Sequence, residues 1–138
     1  MKSLSLLSAA VLAVAAAAVA AEPSPSPSLV SLPADHPLVE GPLSKIAVHQ
    51  VAFIHRNEIR ACYEAALQKK PGIAGKVVAQ FVVEPTGSVS HVRIAGSTLN
   101  DSAVENCVVN RVSHWRFPRP ARRVSVTYPW TLHRNANG

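Results

Sequence analysis

Aromatic residues are scarce: the 138-residue chain has two Trp, two Tyr and three Phe. With so few large side chains available, Trp115 and Trp130 are expected in the core, not on a ligand platform. Phe117, between Arg116 and Pro118, is left unassigned. Cysteine is scarcer still. Cys62 and Cys107 form no C-x-x-C, which removes the local signature of a redox or metal pair. No G-x-S-x-G elbow and no close carboxylate pair occur, so no enzyme and no cofactor are expected. The six histidines are scattered. His49 and His55 stand six apart, about 240° around a helix, so they face different ways and no zinc site is expected.

Acidic residues are missing where basic ones gather. From Gly41 onward there are thirteen Lys or Arg against five Asp or Glu, a balance of +8, and Arg111 to Arg134 holds six arginines with no acid. In a cytosolic protein this would suggest nucleic acid. The N-terminus changes that reading. After Lys2, an apolar run from Leu4 to Ala21 ends in Ala18-Val19-Ala20, the small-residue site that signal peptidase requires. Residues 1–21 are therefore read as a signal peptide, with a periplasmic or secreted product. The alternative is an uncleaved anchor, since about 18 apolar residues approach spanning length. No cysteine follows the run, which argues against a lipoprotein, and no second hydrophobic segment follows, so no stable membrane span is expected after cleavage. The partners of the basic surface are then anionic envelope components or acidic proteins, and no nucleic acid is expected.

Residues 22–43 are rich in Pro and Ser, with Pro23, Pro25, Pro27, Pro33 and Pro37, and are expected to be an extended, disordered tether. The folded domain is expected over 44–134, followed by a disordered tail at 135–138. Ser44 is an N-cap candidate after Pro42. Ile59, Cys62, Tyr63, Ala66 and Leu67 form one helical stripe, which Val51 and Ile54 continue upstream, and Pro71-Gly72 stops it. Val77, Ala79, Phe81 and Val83 alternate as a strand, and Pro85-Thr86-Gly87 turns the chain into Val89–Ala95. There Val89 is out of phase with Val92 and Ile94, and a bulge near Ser90-His91 reconciles the register. Asn100 or Asp101 can cap a second helix whose inner face is Val104, Cys107, Val108 and Val112. Val124, Val126, Tyr128, Trp130 and Leu132 then alternate as a last strand. One cysteine thus sits on the inward stripe of each helix. In an exported protein only one intramolecular pairing exists, Cys62–Cys107.

Gly72-Ile73-Ala74-Gly75-Lys76-Val77, Glu84-Pro85-Thr86-Gly87-Ser88-Val89, Val92-Arg93-Ile94 and Trp115-Arg116-Phe117-Pro118, in this order, resemble the C-terminal domain of the TonB energy-transducer superfamily. The cysteines, Cys62-Tyr63-Glu64 and Tyr128-Pro129-Trp130 resemble the AgmX/PglI C-terminal branch. The resemblance spans about Ile46 to Leu132. It implies an α+β fold, a three-stranded antiparallel sheet with two helices on one face. It also implies a non-catalytic cell-envelope module that binds a partner segment at a sheet edge. Ala121-Arg122-Arg123 stands where that family often has glycines, which makes the loop more charged and stiffer.

Proline at position 129 lacks an N–H, so the last strand is expected at an edge of the sheet. Its outward residues Ser125 and Thr127 are small and uncharged, and Arg119, Arg122 and Arg123 just precede it, placed to attract an acidic segment. Arg122–Tyr128 is the expected contact stretch. Thr127→Pro is expected to weaken partner binding and leave the fold intact, since it removes an unused donor. The other reading is a structural protein whose basic surface holds anionic cell-wall polymer. Glu58 and Glu64, flanked by Arg56 and Arg60, are expected in solvated ion pairs. The sequence leaves the partner's identity and the oligomeric state open.

Overall fold

Ser44 opens the first helix as its place after Pro42 predicts, its Oγ accepting from the Ala47 N–H at 3.0 Å. The structure, a computed structural model, describes residues 36–134. The expected signal segment, most of the tether and the tail lie outside the described residues. Helix α1 spans Lys45–Ile54 and α2 spans Arg56–Lys69, where the apolar period predicts one helix. The buried positions Val48, Val51 and Ala52, then Ile59, Cys62, Tyr63 and Ala66, stay in helical phase across the joint, so the pattern does not mark it. The break falls at His55 (φ −94°, ψ 8°). Its ring is stacked on Trp115 with centroids 4.9 Å apart, and its Nδ1 lies 3.2 Å from Glu58 Oε2. The stack on Trp115 is a tertiary contact that helical spacing cannot show.

Strands β2 (Gly75–Val83) and β3 (Val89–Ser97) form the expected hairpin. The pairing steps from Gln80↔Arg93 to Val82↔Ser90, two residues against three, with His91 at φ 52°. This is the bulge that the phase of Val89 predicts. A second shift, from Val78↔Gly96 to Ala79↔Ile94, inserts Ala95. At the hairpin tip Gly87 has φ 83°, and a Cβ there would run into the Phe117 carbonyl oxygen. The close approach serves a bond, since the Phe117 N–H donates to Gly87 O at 2.9 Å. Gly87→Ala is therefore expected to cost about 2–3 kcal/mol through left-handed strain and a displaced tip, read as a lower urea midpoint.

Helix α3 (Ser102–Val112) is capped by Asp101, which accepts from the Val104 N–H at 2.9 Å. It buries Val104, Val108 and Val112, with Cys107 half-buried beside them. Cys62 and Cys107 are joined, their Cα atoms 5.7 Å apart, inside the range a disulfide requires. Strand β4 (Val124–Leu132) runs antiparallel to β2 along its whole length, from Gly75↔Leu132 to Val83↔Val124. Val77, Phe81 and Val83 of β2 and Val124, Val126, Tyr128 and Leu132 of β4 make one core with the inner faces of the helices. Trp115 and Phe117 are both buried in it, and Trp130 is half-buried against it.

One strand has no counterpart in the sequence reading. β1, Leu38–Glu40, pairs antiparallel with β4 as Leu38↔Thr127, Val39↔Val126 and Glu40↔Ser125, giving the order β1-β4-β2-β3. The α+β class stands, but the described residues hold four strands and three helices, not three and two. β4 is therefore an inner strand over Ser125–Thr127, which corrects its expected place at the edge. Three residues inside a proline-rich stretch are too short for alternation to register. What orders them is Val39, which packs against the core opposite Val126.

Candidate interaction surface

A sheet offers partners its edges, so the two sides of this one decide where a strand could add. On one side, no strand among the described residues pairs with the outer side of β3. That edge is guarded. It carries two bulges, a left-handed His91, and the exposed Arg93, whose guanidinium bonds Gln80 of β2. Bulges and inward-reaching charge both discourage a straight partner strand.

The other side carries the residues predicted for binding. Arg119, Arg122 and Arg123 are exposed just before β4. Arg123 is tied down, its Nε donating to Glu84 Oε2 at 2.8 Å. Ser125 and Thr127 are half-buried and lie directly opposite Glu40 and Leu38. The expected contact stretch is thus gathered along one edge, but β1 already occupies Ser125–Thr127. The expectation for Thr127→Pro changes accordingly: proline there meets an occupied register, so the fold is also weakened. From Tyr128 to Leu132 no described strand covers this side of β4. Beyond it, a cleft of about 260 Å³ lies between α2 and the end of β4, with Arg56, Arg60, His133 and Trp130 in its wall and no acidic residue. Both ends of the edge are basic.

Three carboxylates have structural tasks. Glu58 accepts from Trp115 Nε1 at 2.9 Å and faces His55, which corrects its assignment to solvated pairs with Arg56 and Arg60. Burial opposes its ionisation, but the hydrogen bonds from Trp115 and His55, with the charges of His55 and Arg111, outweigh this and hold the carboxyl below its ordinary range. Ser90 and then Arg123 do the same for Glu84, and the Val104 N–H and then Lys70 for Asp101. A carboxylate depressed in the folded state adds stability that is full above its unfolded pKa and is lost as pH falls through the folded one. The urea midpoint is expected to be level from pH 7 to about 5 and to drop below about pH 4. Glu58→Gln should shrink that drop.

Tyr128 donates to or accepts from His49 Nδ1 at 3.0 Å, and burial pushes its phenol up, so the hydroxyl keeps its proton. Among the described residues no group of three or more His, Cys, Asp and Glu side chains comes together in a way that could hold a metal. No described helix is long and apolar enough to cross a membrane.

No protein-family model matches the chain, and no curated protein matches it. Two solved structures are similar. The C-terminal domain of Helicobacter pylori TonB shares 18% identity over 67% of this chain and 85% of that one, with a TM-score of 0.44. The C-terminal domain of Pseudomonas aeruginosa TonB shares 17% over 51% and 75%, with a TM-score of 0.41.

Proposed function

We propose that this domain is a non-catalytic interaction module of the cell envelope that binds an extended segment of a partner protein along the outer side of β4. The observation that carries the reading is the contrast between the two edges. β3 is guarded by bulges and charge, whereas β4 is covered over only three residues, by a strand from the Pro- and Ser-rich segment. Main-chain hydrogen bonds would supply affinity there, and the arginines at both ends favour an acidic partner. The envelope location rests on the N-terminal apolar run with its A-x-A site and on the disulfide, which persists in oxidising compartments.

A photo-cross-linking amino acid at Thr127, compared with one at Arg93 on the β3 edge, tests this in envelope extract. A protein captured from Thr127 and not from Arg93, at both low and high salt, is the expected result. The rival reading, anionic cell-wall polymer held by the basic surface, draws on the run of arginines without acids from Arg111 to Arg134. It predicts binding that collapses as ionic strength rises. If nothing is captured at Thr127 while polymer binding is salt-labile, the rival is the better account.

A further inference from the structure

β1 has the features of a bound ligand as much as those of a sheet strand. Val39, opposite Val126, sends an apolar side chain to the core, while Leu38, opposite Thr127, stays 50% exposed. Glu40 falls opposite Ser125, which follows Arg122 and Arg123 by two or three residues in the chain. Next comes Gly41 at φ 134°, so close to β4 that a Cβ would meet Val124 Cγ2 at 3.0 Å and the Arg123 carbonyl oxygen at 3.2 Å. In the other direction the ladder has little to continue with. The register would set Pro37 opposite Tyr128 and His36 opposite Pro129, and neither proline has an N–H. The segment is therefore held by three paired residues, one apolar plug and one close-approach glycine.

We infer that β1 is a resident stand-in for the partner. The outer side of β4 is a strand-acceptor site, and its external ligand is an extended segment of the pattern apolar, β-branched apolar, acidic, glycine. That segment binds antiparallel in place of Leu38-Val39-Glu40-Gly41. The inference rests on the proposed reading of this edge and adds to it the partner's chemistry and its competition with β1. Each position has its reason: the β-branched residue fills the place of Val39, the acid suits the basic end of β4, and glycine alone tolerates the approach to Arg123 and Val124. Because β1 is attached to the domain, it competes at an effective concentration of about millimolar. An outside ligand sees only the fraction of molecules whose edge is open.

The test uses a fluorescent peptide of residues 36–42, His-Pro-Leu-Val-Glu-Gly-Pro, added to the full chain and to its Val39→Asp and Leu38→Pro variants. Both changes dislodge β1, the first by burying a charge and the second, at an exposed position, by removing an N–H. Fluorescence anisotropy is expected to show the peptide binding each variant at least about tenfold more tightly than the unaltered chain. Peptides with Asp in place of the valine, or Ala in place of the glycine, should lose at least about tenfold on the same variants. Equal binding to the variants and the unaltered chain would overturn the inference, as would indifference to the two peptide changes. So would failure of both variants to fold, because β1 would then be part of the fold and not an occupant. A concentration-dependent dimer that the peptide dissolves would put a second copy's β1 in the site and overturn the assignment within one chain. Peptide capture without any protein cross-linked from Thr127 would sink the partner reading and keep the acceptor site. Cross-linking without peptide capture would do the reverse.

Discussion

Replacing both cysteines with alanine is expected to lower the unfolding free energy by about 4 kcal/mol. Cys62 and Cys107 are 45 residues apart, and closing a loop of that length removes about 4 kcal/mol of conformational entropy from the unfolded chain. The loop contains the β2–β3 hairpin and the start of α3, so the link ties α2 to α3 on one side of the sheet. A domain of this size has a total stability of about 5–15 kcal/mol, so losing the link consumes a large share. The urea midpoint should fall, and the m-value should rise because the unlinked chain unfolds to a more expanded state. Reduction with dithiothreitol should reproduce both changes in the unaltered chain and neither in the variant. A loss under about 1 kcal/mol would mean that the unlinked unfolded chain already keeps α2 and α3 close, so that the bond constrains it little.

Trp115→Ala is the second large effect, at about 3–5 kcal/mol. Trp115 is 2% exposed and joins three parts of the fold. Its ring stacks on His55 at the α1–α2 joint, meets Trp130 of β4 edge-on at 6.0 Å, and lies 6.5 Å from Phe117. Its Nε1 donates to Glu58. Removing the ring leaves a cavity and frees the helix joint at once. Trp115→Phe keeps most of the packing and should cost only about 1–2 kcal/mol, part of it the lost hydrogen bond. Combining it with Glu58→Gln tests the division. If the bond matters, the two changes will be less than additive.

Much of this architecture was legible in the residues. Ser44, Pro71-Gly72, the Asp101 cap and the alternation from Val124 to Leu132 are local signals, and each did what its chemistry predicts. The out-of-phase Val89 placed a bulge correctly, because register is a two-residue rhythm and one extra residue breaks it visibly. The two cysteines paired because the helical stripes carried them inward. What was missed shares one cause. The joint at His55 depends on Trp115, and the role of Glu58 depends on the same ring, 57 residues away in sequence. β1 is three residues long and its only apolar anchor, Val39, finds Val126 through the fold. No period can announce a single residue. The one hint was Gly41, a glycine just before the proline at 42, where the chain must turn closely past β4. For the candidate site, Pro129 pointed to an edge place for the last strand, but β1 pairs with it over Ser125–Thr127, and no pattern in the sequence shows that strand.

The most direct test of the central claim, that β1 is a removable occupant of a standing sheet, is native-state hydrogen exchange on the unaltered chain. Local openings of a protein release their amides at free energies well below global unfolding. The account predicts that the amides of the β1–β4 ladder, Leu38–Glu40 and their partners in Ser125–Thr127, exchange at least about 100-fold faster than those of the β2–β4 ladder around Phe81 and Val83. Adding the peptide of residues 36–42 should slow only the β4 side of the first ladder. Equal protection in the two ladders would contradict it, making β1 a permanent strand and leaving β4 with no edge to offer at Ser125–Thr127.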